Sequence, residues 1–171
     1  MTAHAAAGVS GSTLIRLDAR VNGEAVALEI QASETLAEVL RERLGLTGTK
    51  VSCDVQVCGA CTVLLEGLPV SACTTLAYEA SGRAVTTIEG LAGADGRLHP
   101  LQQAFLDEFA FQCGFCTPGM ILAAKALLDE RPDVSEQEIV EHMDGNLCRC
   151  TGYTPIVRAI RRVQAASRSE R

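Results

Sequence analysis

From Thr13 the chain alternates apolar and polar positions. Ile15, Leu17 and Ala19 share one face, and Val26, Leu28 and Ile30 share another after the dipeptide Asn22-Gly23. A period of two broken by Asn-Gly predicts a β-hairpin whose turn residues both tolerate positive φ. The pattern then changes: Leu36, Val39, Leu40 and Leu44 fall on one helical face, Thr35 and Glu38 have capping-box spacing, and Gly45 supplies a stop. Short apolar runs at Val63–Leu65 and Ala84–Ile88 add two strands. The order β-β-α-β-β predicts a small mixed sheet crossed by one helix.

Beyond residue 90 the period becomes 3.6, and Leu91–Arg97, with Gly93 and Gly96, reads as a linker. Four helices follow. Leu101, Phe105 and Phe109 form one stripe, read as core together with Phe111. Pro118 opens a second helix carrying Ile121, Leu122, Lys125 and Leu128, which ends before Arg131-Pro132. Ser135 and Glu138 cap a third through Ile139, Val140 and Met143, and Pro155 opens a fourth through Ile156, Ala159, Ile160 and Val163. Thr117-Pro118 and Thr154-Pro155 echo one another, with Thr read as N-cap and Pro as the first helical residue. The fold class is α+β: a sheet domain over residues 13–90, then an all-α four-helix bundle over 91–165. An Ala/Gly/Ser-rich lead, 1–12, is expected to be disordered and to leave His4 idle, and 166–171 is expected to be a flexible basic tail.

Composition narrows the function. The 171 residues are 47% hydrophobic with a net charge of −6, which suits a globular protein of one or two modest domains. No apolar run reaches the ~20 residues of a membrane span; the longest, Met120–Leu128, is broken by Lys125. The acidic balance and the lack of an aromatic-rich basic patch argue against nucleic acid as a partner. Arg158, Arg161, Arg162, Arg168 and Arg171 face only Glu170 at the end of the chain, leaving −10 on residues 1–157. That end reads as a solvated helix and tail, with docking to an acidic partner as the alternative.

Eight cysteines are the unusual feature: Cys53, Cys58, Cys61, Cys73, Cys113, Cys116, Cys148 and Cys150. Met1–Ser10 lacks a basic start, an apolar run and a twin-Arg, so a cytoplasmic location is expected. In reducing cytosol, clustered cysteines bind metal more often than they pair. The first set, Cys53-x4-Cys58-x2-Cys61 with Cys73 eleven residues beyond, has the plant-type iron–sulfur spacing, and the paired C-x2-C knuckles of zinc sites are absent. Gly59 and Ala60 suit a loop that must approach a cluster closely. The second set, Cys113-x2-Cys116 and Cys148-x-Cys150, is by itself ambiguous between zinc, a redox dithiol and a cluster. Both of its pairs precede helix starts, where exposed N–H groups favour an anion, which suits a second cluster.

The segments CDVQVCGAC, SAC, FQCGFCTPGM and GNLCRCTGY together resemble the small iron–sulfur subunit of the molybdenum hydroxylase (xanthine oxidase) family over about residues 13–165. The resemblance implies a β-grasp ferredoxin-like domain followed by a four-helix domain, each holding one [2Fe–2S] cluster. It assigns Cys53, Cys58, Cys61 and Cys73 to the cluster nearer FAD, and Cys113, Cys116, Cys148 and Cys150 to the cluster nearer molybdenum. It puts Gln112 and Cys150 near the molybdopterin, in its cytosine dinucleotide form. The implied partners are a large molybdopterin-binding subunit and a medium FAD-binding subunit, assembled as a dimer of heterotrimers. The implied role is one-electron relay from molybdopterin to FAD. Many members carry Gly before the first Cys and Gly or Ser two before the second; here those residues are Ser52 and Gln56.

No catalytic residue is assigned. His99 and His142 lack a nucleophile or carboxylate at telling spacing and read as surface or capping residues. Asp54 reads as loop scaffolding, and Phe115 as a shield between the second cluster and water. The competing readings are a free-standing two-cluster ferredoxin and a structural zinc module.

Overall fold

The computed structural model describes residues 13–93 and 95–169; the lead with His4, and Glu170 and Arg171, lie outside the described residues. Strands β1 (Leu14–Val21) and β2 (Glu24–Gln31) pair antiparallel with Val21 opposite Glu24, and Asn22 and Gly23 turn the corner at φ 52° and 86°. Leu17, Val21 and Ile30 are buried beneath the sheet, as the alternation requires. Helix α1 (Leu36–Glu38) opens with the expected capping box: the Glu38 N–H donates to Thr35 Oγ1 at 3.2 Å, and the Thr35 N–H donates to Glu38 Oε2 at 2.7 Å. It continues as a wider π turn over Val39–Arg43, where the Leu44 N–H reaches back to the Val39 carbonyl.

Strands β3 (Thr62–Leu65), β4 (Leu68–Ser71) and β5 (Ala84–Thr86) complete a five-stranded mixed sheet of order β2-β1-β5-β3-β4. Strand β5 runs parallel to β1 and antiparallel to β3. The sequence pattern misses β4 because Pro69 breaks a strand signal; Pro is tolerated here because β4 is an edge. Glu66 and Gly67, at φ 53° and 81°, make the turn before it. Strand β5 stops at Thr86, short of the expected Ile88. The cause is Asn22, whose Oδ1 accepts from the Thr87 N–H at 2.8 Å while its Nδ2 donates to Thr87 Oγ1 at 2.9 Å, taking Thr87 out of the ladder.

Four helices follow among the described residues: α2 (Pro100–Asp107), α3 (Thr117–Glu130), α4 (Glu136–Met143) and α5 (Thr154–Ser169). Helix α3 packs on α2, α4 and β3, and α5 packs on α2 and α4. Two cores result. One, around Ile30, Leu36, Leu40 and Val63, lies beneath the sheet; the other, around Phe105, Met120, Leu127, Ile139 and Ile160, lies among the helices and takes in Leu64 of β3. Gly93 sits in the expected linker, where its N–H closes a turn onto the Arg97 carbonyl at 2.8 Å.

Three local expectations are corrected. Phe109 leaves the Leu101–Phe105 stripe: α2 ends before it, Phe109 adopts φ 50°, and its side chain is 79% exposed. Its N–H bonds the Leu106 carbonyl while the Ala110 N–H bonds the Phe105 carbonyl, a Schellman ending with Phe where Gly is usual. Phe111, read as core with it, is only half-buried. Thr117 and Thr154 lie inside α3 and α5 rather than capping them; Cys116 occupies the cap of α3. The last helix runs through Ser169, so residues 166–169 are helical rather than a tail, with Arg168 Nε held 2.7 Å from Asp133 Oδ1. The other arginines of α5 are also paired: Arg158 with Glu108, Arg161 with Glu136, and Arg162 with Asp107 and Glu108. These exposed pairs are each worth about 0–1 kcal/mol.

Candidate metal centres

The Cys53–Cys61 loop joins α1 to β3. Asp54 and Gln56 adopt φ 57° and 59°, and Gly59 adopts 66°. These left-handed residues fold the loop back on its first cysteine, so that the Val57 and Cys58 amides each donate to Cys53 Sγ at 3.3 Å. Backbone amides of Val55, Val57 and Cys58 bring the Cys53 thiol down to about 6. Gln56 Oε1 accepts from Thr74 Oγ1 at 3.1 Å. Asp54 is exposed at the loop tip. Cys61 and Cys73 are both buried, and burial pushes Cys61 up to about 12.

The second set sits where two helices begin. Cys113 and Cys116 precede α3, and Cys148 and Cys150 precede α5. Cys113 and Cys150 are exposed, with Sγ atoms 3.8 Å apart. Burial raises Cys116 to about 12. At Cys148 burial acts in the same direction, but donation from the Thr151 hydroxyl and amide outweighs it and lowers the thiol below its ordinary value. The contact with the Cys113 thiol raises Cys150.

All eight cysteines are free thiols. Among the described residues, no group of three or more Cys, His, Asp or Glu side chains converges on a single ion position. The thiols contact one another in twos, Cys53 with Cys58, Cys61 with Cys73, Cys113 with Cys150, and Cys116 with Cys148, and these twos also face each other through Cys58 and Cys61, Cys113 and Cys116, and Cys148 and Cys150. Tetrahedral zinc needs four donors around one ion, whereas a two-iron cluster takes two thiolates at each iron. Two adjoining pairs per set fit a [2Fe–2S] cluster, and the choice against zinc rests on the C-x4-C-x2-C spacing of the first set. The buried Thr117 hydroxyl, next to Cys116, has no partner among the described residues.

The two sets meet. The Leu147 N–H donates to the Cys58 carbonyl at 2.8 Å, so a residue adjoining Cys148 is bonded directly to a cysteine of the first set. Buried Asn146 reinforces the junction, donating through Nδ2 to the Gly59 carbonyl at 2.9 Å and to Thr62 Oγ1 at 3.2 Å. Gly119 of α3 packs so closely on the cysteine loop that a Cβ would overlap the Gly59 carbonyl oxygen and press on that of Ala60. Cys58 and all four cysteines of the second set line one cleft of about 490 Å³. Phe115 lines it too, but is 45% exposed in this chain.

Gln112 Nε2 donates to the Cys150 carbonyl at 2.8 Å, and both residues are exposed, so the two residues expected near molybdopterin share one surface. The histidines take structural roles. His99 caps α2, its Nδ1 accepting from the Leu101 N–H at 3.2 Å, and His142 Nε2 lies 3.1 Å from the Ala123 carbonyl, tying α4 to α3. The residues that sequence reasoning passed over are Asn146 and Tyr153. Tyr153 Oη accepts from the Cys148 N–H at 2.9 Å and donates to the Asn146 carbonyl at 3.0 Å. Their signal was their place within NLCRCTGY rather than any periodicity.

Comparison with known proteins agrees with this geometry. Residues 19–85 match the family described as "2Fe-2S iron-sulfur cluster binding domain", and residues 87–161 match "[2Fe-2S] binding domain". The small FeS subunit of nicotinate dehydrogenase from Eubacterium barkeri is 49% identical over 86% of this chain and 93% of its own length. The structure of quinoline 2-oxidoreductase from Pseudomonas putida 86 contains a chain that superposes with a TM-score of 0.86 at 45% identity, covering 91% of this chain and 97% of that one. In the aldehyde oxidoreductase from Desulfovibrio desulfuricans ATCC 27774 the match has a TM-score of 0.85 at 44% identity and covers 91% of this chain but 17% of that one, so there the matched part belongs to a much longer chain. No helix among the described residues is long and apolar enough to cross a membrane. With both halves matched and relatives aligned nearly end to end, the chain belongs to the small [2Fe–2S] electron-transfer subunits of the molybdenum hydroxylase family of dehydrogenases.

Proposed function

We propose that this chain carries electrons one at a time between a large molybdopterin-bearing partner and a medium FAD-bearing partner. Cys53, Cys58, Cys61 and Cys73 would hold the cluster nearer FAD, within a β-grasp ferredoxin-like domain. Cys113, Cys116, Cys148 and Cys150 would hold the cluster nearer molybdenum, within a four-helix bundle. Bound there, a [2Fe–2S] cluster supplies reversible one-electron storage. The chain's own residues pair the thiols, aim amides at sulfur and bury Cys61 and Cys73. Gln112, fixed against Cys150, would meet the pterin, in its cytosine dinucleotide form. Substrate chemistry would occur in the large partner, in a dimer of heterotrimers.

The observation that carries this reading is the Leu147 N–H to Cys58 carbonyl bond. Two cysteine sets joined through one hydrogen bond suit electron passage from one to the other, whereas two independent structural metal sites would need no such junction. The test is to tag the chain in its native host and analyse what co-purifies. The proposal expects one FAD-bearing and one molybdenum-bearing partner in stoichiometric amounts. A chain that emerges alone, stable and loaded with iron would instead be a free-standing ferredoxin. A further check is Cys113→Ser or Cys148→Ser in the assembled complex, which should interrupt transfer from molybdenum to flavin; normal turnover would contradict the relay.

A further inference from the structure

Cys148 is held in a small hydrogen-bonded knot. The Thr151 hydroxyl donates to Cys148 Sγ at 3.1 Å, and the Thr151 N–H donates to the same sulfur at 3.4 Å. Thr151 Oγ1 in turn accepts from the Tyr153 N–H at 3.3 Å. That bond occupies an oxygen lone pair and leaves the hydroxyl proton to the sulfur. Tyr153 is itself fixed, at φ 68°, with its Oη bonded to the Cys148 N–H and the Asn146 carbonyl. The hydroxyl is thus positioned rather than free to rotate into solvent. Among the described residues, no other hydroxyl is placed on a cysteine sulfur; Cys53 Sγ receives backbone amides.

We propose that Thr151 is a redox-positioning residue: its hydroxyl sets the potential of the cluster held by Cys113, Cys116, Cys148 and Cys150 above the value that backbone donors alone would give. The inference rests on the reading of those four cysteines as one cluster's ligands. Reduction adds one negative charge that spreads onto the thiolate sulfurs. A donor aimed at one of them stabilises the reduced form more than the oxidised form, and so raises the potential. A side-chain donor differs from an amide in that one substitution removes it without altering the backbone. Cys53 Sγ receives two amides instead, so the same substitution test has no counterpart there.

The test is an EPR-monitored redox titration of the native complex carrying the complete chain, unmutated and as Thr151→Val and Thr151→Ser. Thr151→Val keeps the shape and loses the donor. It should lower the midpoint of the helical-half signal so that its reduced-to-oxidised ratio, read at the unmutated midpoint, falls several-fold; a tenfold fall corresponds to about 59 mV for one electron. Thr151→Ser should restore the midpoint, and the other cluster's midpoint should not move. An unmoved midpoint in a fully iron-loaded Thr151→Val complex overturns the proposal, as does an equal shift in Thr151→Ser. If Thr151→Val fails to hold its iron, pulsed ENDOR of the unmutated complex after brief transfer to deuterated buffer decides. A hydroxyl deuteron coupled to the helical-half cluster supports the proposal, and its absence overturns it. Iron and sulfide analysis of the unmutated complex keeps the two levels apart. No cluster at these cysteines removes the underlying reading, whereas an intact cluster with an unmoved midpoint removes only the role of Thr151.

Discussion

Gly119→Ala isolates the contact between the two halves. In an open helix this change stabilises, because Ala costs less backbone entropy than Gly by about 0.5–1 kcal/mol. Gly119, however, is the third residue of α3, and its added Cβ would overlap the Gly59 carbonyl oxygen and lie 3.1 Å from the Ala60 carbonyl oxygen. These are backbone atoms of the loop between Cys58 and Cys61, so no side chain can swing aside. Overpacking of this kind costs about 1–3 kcal/mol, and the rigid neighbours place it near the upper end. The net loss is about 2 kcal/mol, which for a chain of this size lowers Tm by roughly 4–8 °C. Gly145→Ala is the control: its Cβ would meet only the His142 carbonyl oxygen, at an ordinary 3.6 Å, and stability should stay within about 0.5 kcal/mol. Thermal unfolding of the complete chain, followed by circular dichroism, reads both. A Tm for Gly119→Ala at or above that of the unmutated chain would refute the close packing of α3 on the cysteine loop.

Asn146→Ala should cost about 1 kcal/mol, because it removes two buried hydrogen bonds while the Gly59 carbonyl keeps the Thr62 amide and hydroxyl as donors; denaturant titration checks it, and an unchanged stability would contradict the bridge. Gln56→Gly should raise Tm by roughly 2–4 °C, since relief of a left-handed side-chain residue, about 1–2 kcal/mol, outweighs one exposed bond from Thr74. Burial, with Lys125 nearby and against the opposing pull of Asp129, lowers the His99 pKa. The unfolded chain then takes up the proton first, so this contribution is complete above about pH 6.5 and is lost as the pH falls through that value toward the folded pKa. Asn is also a good N-cap, so His99→Asn should keep stability at pH 8 and flatten its decline between pH 7 and 5; an unchanged pH profile would contradict the cap.

Elements with local causes were legible in the sequence: the Asn22-Gly23 hairpin, the boxes at Thr35 and Ser135, and the first four-cysteine spacing each depend on residues a few positions apart. What escaped depended on distant partners. Thr87 ends β5 because Asn22, 65 residues away, claims it. Leu64 joins the helical core through α3, which no strand pattern reveals. Phe109 continues a helical stripe on paper, but the turn after α2 swings it outward. The second cysteine set was ambiguous by spacing alone because its cysteines come from two loops; the folded chain brings Cys113 to Cys150 and Cys116 to Cys148, gathering all four thiols at one place.

The central claim is that eight thiols hold two binuclear clusters. Anaerobic purification of the complete chain, with iron, zinc and acid-labile sulfide assayed and low-temperature EPR recorded after dithionite reduction, tests it directly. The account predicts about four iron and about four sulfide per chain, with two distinguishable paramagnetic signals. Zinc without sulfide, or a single signal with half the iron, would contradict it.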